Sequence, residues 1–135
     1  MIENIRPAEA VPFLVFRKDL LTGEKNFSQP VNYKAGAVYY KYNDEGIFEF
    51  TPLTKHSIEC HLSFKSARNV VKACAEMEEV LKEFEIKQLL TYVPEKCGHI
   101  HKLMERIGFS EKFRLEQGTE FFGECQDLII YTKRI

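Results

Sequence analysis

No stretch of the sequence is long and apolar enough to span a bilayer, and Met1 to Arg6 lacks the basic start and apolar run of a signal peptide. A cytosolic, cytoplasmic protein with no membrane partner is the expectation. Tryptophan is absent, and the four cysteines, Cys60, Cys74, Cys97 and Cys125, form no CxxC pair. Their wide spacing reads as reduced, packed thiols rather than a disulfide framework. Neither sign of charge dominates: 19 Lys and Arg against 20 Asp and Glu leave a net charge of −1, so nothing electrostatic argues for nucleic acid. No repeat, linker or low-complexity tract interrupts the 135 residues, and such a length fits one domain, residues 1–135, with a real core.

Aromatic residues make up 13% of the chain, eleven Phe and six Tyr, which suits a sheet-rich core. The chain is organised around one strand, loop and helix. In the strand, Ile58, Cys60, Leu62 and Phe64 point to one face while Ser57, Glu59, His61 and Ser63 point to the other, because side chains alternate in an extended chain. One face is core and the other is chemistry or solvent. After Lys65 to Asn69, the residues Val70, Cys74, Met77, Val80, Leu81 and Phe84 recur at spacings of three and four, and the pattern predicts a helix to about Glu85. A loop opening onto a helix N-terminus presents unpaired N–H groups and a positive dipole end, where phosphates bind well.

Upstream, Ile2 to Arg6 reads as a short strand. Pro7 suits a first helical turn and Ala8 to Leu21 a helix, with Pro12 near its start or breaking it; Val11 to Phe16 also reads as a strand. Thr22 to Lys34 has loop composition. Ala37 to Tyr42, Ile47 to Pro52 and the central strand are joined by turns short enough to require an antiparallel meander. Downstream, Gln88 to Val93 reads as a fully buried strand stopped by Pro94. A second helix runs from Gly98 to Ile107, with Ile100, Leu103, Met104 and Ile107 inward and Gly108 closing it. Phe109 to Leu115 and Leu128 to Lys133 form a last pair of strands across a long connection containing Gly118 and Gly123.

The run Tyr92-Val93-Pro94-Glu95, followed by His99 to Ile107 and then Gly108-Phe109, resembles the strand, helix and "lGF" signature of the GNAT superfamily of acyl-CoA-dependent N-acyltransferases. The ending Gly123 to Asp127 to Tyr131 is similar to that family's closing hairpin, and Ile5-Arg6-Pro7-Ala8 to a common start. The resemblance covers most of the chain and implies an α+β, layered α/β fold. Its parts are a mixed sheet of six to seven strands with an antiparallel meander, a central helix, a parallel strand, a further helix and a C-terminal hairpin. It also implies that the central strand and its parallel neighbour splay, so that the pantetheine of acetyl-CoA inserts between them. Backbone groups from Leu62 to Phe64 would then face the pantetheine or thioester, while Lys65, Ser66, Ala67, Arg68, Asn69 and Val70 would hold the pyrophosphate.

Two departures stand out. The family's phosphate loop reads Q/R-x-x-G-x-G/A, whereas Lys65 to Val70 contains no glycine. Either Lys65, Arg68 and Lys72 supply side-chain charge in place of backbone contacts, or Ser66 is an ordinary N-cap and coenzyme binding is lost. Many family members also carry a Tyr four residues before the Gly of "GF" as proton donor, and an Asn near that helix's start. Here the first position is Met104, which cannot donate, and Lys96-Cys97-Gly98-His99 has no Asn. Either another group or water does the job, with Cys97 or His99 as local substitutes, or no acid is needed because a CoA thiolate is a tolerable leaving group.

Acyl transfer to an amine needs a base and a hole for the oxyanion. Glu59 and His61, two apart on one strand face, point together and are the catalytic candidates; the alternative is that they only bond neighbouring strands or water. Cys97, His99 and His101 do not share a helix face, so no metal is expected. The expected function is acetyl transfer from acetyl-CoA to a primary amine of a small molecule or peptide, by a monomer or homodimer. The alternative is a GNAT-like binding or structural module without coenzyme.

Overall fold

Short turns and alternating side chains decide the first half of the sheet, and two helical crossovers decide the second. The computed structural model describes residues 1–22, 33–121 and 124–135, with side chains except those of 15–22 and 121. Among these residues the order is β1 (Ile2–Ile5), α1 (Pro7–Thr22), β2 (Val38–Tyr42), β3 (Gly46–Pro52), β4 (Ser57–Phe64) and a 3-10 turn (Ala67–Asn69). Then come α2 (Val70–Glu83), β5 (Gln88–Pro94), α3 (Gly98–Arg106), β6 (Ser110–Phe121) and β7 (Glu124–Arg134). The strands build one seven-stranded sheet in the order β1-β2-β3-β4-β5-β7-β6. All neighbours are antiparallel except β4 and β5, whose connection through α2 is the long crossover that a parallel pair requires.

Each face of the sheet has its own core. On one side Phe48, Phe50, Ile58, Cys60 and Phe64 pack against Val70, Ala73, Met77 and Leu81 of α2 and Ile100, Leu103 and Met104 of α3. On the other, Ile5, Tyr39 and Ile47 pack against Ala10 and Leu14 of α1, which lies over β2, β3 and β4 and also touches α3. Helix α1 keeps Pro12 inside it: in the second turn the missing N–H orphans only the carbonyl of Ala8, and Pro12 is exposed. The strand reading of Val11 to Phe16 is thereby corrected. The loop reading of Thr22 to Lys34 lies mostly outside the described residues.

Both core helices end in the same way. At α2, Glu85 takes φ 60, and the N–H groups of Glu85 and Ile86 donate to Lys82 and Leu81 carbonyls at 3.0 and 3.2 Å. At α3, Gly108 takes φ 93, and Gly108 and Phe109 donate to Glu105 and Met104 carbonyls at 3.1 and 2.9 Å. These are Schellman closures, which satisfy the last carbonyls of a helix. The closure at Phe84 ends α2 before the predicted stripe does, and Phe84 stays 61% exposed rather than inward.

Two further expectations change. Strand β5 is not fully buried: Leu89, Thr91, Val93 and Pro94 are covered, whereas Tyr92 is exposed. The expected long connection after Leu115 is mostly strand. β6 runs to Phe121, with Thr119, Glu120 and Phe121 opposite Gln126, Cys125 and Glu124. A register shift between Leu115 and Thr119 absorbs Gln117 at φ 52 and Gly118. No helix among the described residues is long and apolar enough to cross a membrane.

Candidate active site at the parted strands

The β4–β5 ladder holds for three residue pairs only, Ser57 with Gln88, Ile58 with Leu89 and Glu59 with Leu90. Each strand continues beyond that point with its outer neighbour. β4 stays paired to β3 as far as Phe64 opposite Gly46, and β5 stays paired to β7 as far as Pro94 opposite Leu128. Cys60 to Phe64 and Thr91 to Pro94 therefore border a wedge whose edges have no strand partner on the inner side among the described residues. An extended chain with amide groups can dock into such edges as an added strand.

The loop at the end of β4 is anchored at both ends and open between them. Phe64 and Val70 are buried at 1% and 0% exposure, while Lys65, Ser66, Ala67 and Arg68 are exposed. The Lys65 N–H donates to the Glu45 carbonyl at 2.8 Å. Ser66 is an N-cap, its Oγ accepting the Arg68 N–H at 3.1 Å. That cap satisfies one donor at the turn. Arg68 and Lys72 are exposed and make no ion pair among the described residues, which leaves two cations beside the opening of the wedge.

On the α1 face of the sheet, the predicted pair meets. His61 Nε2 lies 3.1 Å from Glu59 Oε2, so Nε2 carries the proton donated to the carboxylate. The side chains are only 13% and 15% exposed for Glu59 and His61, and the His61 ring stands edge-on to Tyr92 across the wedge at 4.7 Å. Lys34 Nζ approaches Glu59 Oε2 at 3.4 Å and Thr51 Oγ1 at 3.2 Å. The next strand adds Glu49, buried at 3% exposure and opposite His61. Tyr39 donates its hydroxyl to Glu49 Oε2 at 2.6 Å and accepts the Lys34 N–H at 2.8 Å. Replacing Tyr39 by Phe removes a donor from a buried carboxylate and should cost about 1–3 kcal/mol, read from urea unfolding. Glu49 and Lys34 were missed from the sequence. A Glu inside the run Ile47-Phe48-Glu49-Phe50 was the available signal, since a lone carboxylate in an apolar strand needs a partner.

Helix α3 carries the other predicted groups. Met104 is buried against the core. Cys97 is buried, and its carbonyl accepts the Ile100 and His101 N–H groups at 3.0 and 3.2 Å. His99 is exposed. His101 places Nε2 2.9 and 3.0 Å from the Pro94 and Glu95 carbonyls, so that nitrogen donates and Nδ1 accepts the Tyr131 hydroxyl. Burial, with Glu111 and Glu105 nearby, holds the Tyr131 pKa above its ordinary value. This cluster ties α3 to the ends of β5 and β7. No group of three His, Cys, Asp or Glu suited to a metal occurs among the described residues.

The four thiols are free. Burial pushes Cys60 up, pushes Cys74 up to about 12, and raises Cys97, whereas Cys125 is exposed. Because the thiolate is the nucleophile, brief iodoacetamide treatment at pH 8 should label Cys125 well before the others, as peptide mass spectrometry would show.

The seven-stranded mixed sheet, ordered β1-β2-β3-β4-β5-β7-β6 with its three helices, matches the fold of the GNAT N-acetyltransferases. Among solved structures the chain is similar to a ribosomal-protein-alanine N-acetyltransferase from Brucella melitensis, with a TM-score of 0.73 and 17% identity over 100% of this chain and 99% of that one. A chimera of the spermidine N-acetyltransferase SpeG from Vibrio cholerae and hSSAT gives a TM-score of 0.78 and 11% identity, over 99% and 95% of the two chains. YncA from Salmonella typhimurium, solved with its cofactor acetyl-CoA, gives 0.71 and 11%, over 99% and 92%. No family model matches the sequence, and no curated protein sequence does.

Proposed function

We propose that the chain is an acyl-CoA-dependent N-acyltransferase domain that transfers an acyl group, with acetyl-CoA as reference donor, to a primary amine of a small molecule or peptide. The observation that carries this reading is the three-pair limit of the β4–β5 ladder, which leaves room for a pantetheine arm between Leu62–Phe64 and β5. Lys65 to Val70 would hold the pyrophosphate, with Arg68 and Lys72 supplying the charge that glycine-rich loops supply through backbone N–H groups. When bound, the donor brings a thioester carbonyl to the root of the wedge.

There the amine nitrogen attacks the carbonyl carbon and forms a C–N bond while the carbonyl π electrons move to oxygen. Edge N–H groups of β4 would stabilise that oxyanion. The amine proton passes to the Glu59–His61 pair, the oxyanion collapses, and the C–S bond breaks. The departing thiolate keeps its electron pair and needs no protein acid to leave, since a thiolate is a stable leaving group near neutral pH. Met104 is therefore compatible with turnover. The spermidine and ribosomal-protein-alanine enzymes among the structural neighbours support an amine acceptor.

Titration calorimetry with acetyl-CoA tests the reading, and absence of heat at millimolar coenzyme would sink it. Arg68→Glu should weaken coenzyme binding by roughly tenfold or more, as expected for loss of a charged hydrogen bond, and the deficit should shrink at high salt. A second reading, a module without coenzyme, is favoured by the Ser66 cap, which occupies the Arg68 N–H. Strong thermal protection by CoA would rule it out.

A further inference from the structure

On the helix side of the wedge root lies a cavity whose space for the centre of a water-sized sphere is about 30 Å³. Its walls include Cys60, Leu62 and Thr91, which border the parted strands, and also Phe50, Leu81 and Leu89. Leu89 belongs to the closed part of the ladder, opposite Ile58, so the cavity continues past the point where the two strands zip together. A chain laid between the strands ends at that root. Whatever it carries further must leave the plane of the sheet.

The two sides offer different chemistry there. Alternation along β4 puts Glu59 and His61 on the α1 face and Cys60 and Leu62 on the helix face. The cavity wall is nearly all carbon and sulfur, and the one carboxylate in it, Glu78, is ion-paired to Lys133. Burial keeps the Cys60 and Cys74 thiols protonated, so they add no charge. One water occupies roughly 10–15 Å³, so the cavity has room for more than one small group, on the order of two or three methylenes. Methionine in the wall adapts to such a guest.

From this geometry we infer that the preferred donor carries an unbranched apolar acyl chain about two or three carbons longer than acetyl, its tail in the cavity under α2 and α3 while the amine attacks from the Glu59–His61 side. The inference rests on the acyltransferase reading and narrows its donor. The bonds made and broken are the same: C–N forms, C–S breaks, and the proton goes to the carboxylate–imidazole pair.

Calorimetry on the full chain with CoA, acetyl-CoA, butyryl-CoA and hexanoyl-CoA tests it. Each methylene buried is worth about a three- to fourfold gain in affinity, so butyryl-CoA should bind roughly tenfold more tightly than acetyl-CoA, with the gain levelling off at hexanoyl-CoA. Cys74→Leu, which fills the cavity from the α2 side of its wall, should erase the butyryl advantage while CoA itself still binds. The wild-type series stands by itself if that variant does not fold. Equal binding of acetyl-CoA and butyryl-CoA, with CoA bound, overturns the inference alone. Absence of binding by all four overturns it together with the acyltransferase reading.

Discussion

Glu59→Gln should lower the rate of thiol release from acetyl-CoA by a factor of about 100 or more in the presence of a competent amine, the usual range for loss of a positioned acid–base group. Coenzyme affinity should stay unchanged, because the substitution lies on the α1 face, away from the Lys65–Val70 loop. His61→Ala should be of similar severity. The two groups share one hydrogen bond at 3.1 Å and would act as a unit, so the double variant should be little worse than either single one. A thiol-reactive chromophore assay over a panel of small amines, N-terminal peptides and lysine peptides reads all of these. A loss of less than fivefold in both single variants would remove Glu59 and His61 from the chemistry and leave them as strand-linking groups beside Lys34.

Gly46→Ala should destabilise the fold by about 2–3 kcal/mol, the range for overpacking a filled site. A Cβ at Gly46 would lie 2.4 Å from the Phe64 ring and 2.7 Å from the Ser63 carbonyl oxygen. The ring is buried at 1% exposure and stands edge-on to Phe48, so neither it nor the strand backbone can yield cheaply. For a domain of this size the loss corresponds to a fall in Tm of roughly 10 °C, read by calorimetry. Because Gly46 and Phe64 are the last β3–β4 pair before the loop, weaker coenzyme binding should accompany the loss. An unchanged Tm would show that Phe64 has room to move and that the loop anchor is softer than its burial implies.

Much of this architecture was legible because it is written in short-range pattern. The alternation from Ser57 to Phe64 placed Glu59 and His61 on one face, and the three-and-four spacing placed Val70, Met77 and Leu81 against the sheet. Gly108 marked its helix end by the left-handed conformation it adopts. Where local composition and tertiary pairing disagreed, composition misled. Gly118 and Gly123 argued for a loop, yet Thr119 to Phe121 pair with Glu124 to Gln126, since a bulge can house the irregular residues without ending the ladder. Phe84 looked inward by spacing, but the closure at Glu85 turned the chain first. Tyr92 sat in an apolar run that gives no hint of which face a neighbouring helix leaves bare. The partners of Glu49 and Glu59 were out of reach for a different reason: Tyr39 and Lys34 approach them only once the register of β2 against β3 is known.

The brevity of the contact between β4 and β5 also bears on how the molecule comes apart. Among the described residues, four strands on one side of that seam and three on the other share a ladder of three residue pairs, to which side chains under α2 and α3 and the His61–Tyr92 ring contact on the α1 face add. Each part has its own long antiparallel ladder, and so each has the makings of a separate unit of cooperative opening. Native-state amide exchange would then fall into two families of protection, and a ligand seated in the seam would merge them into one.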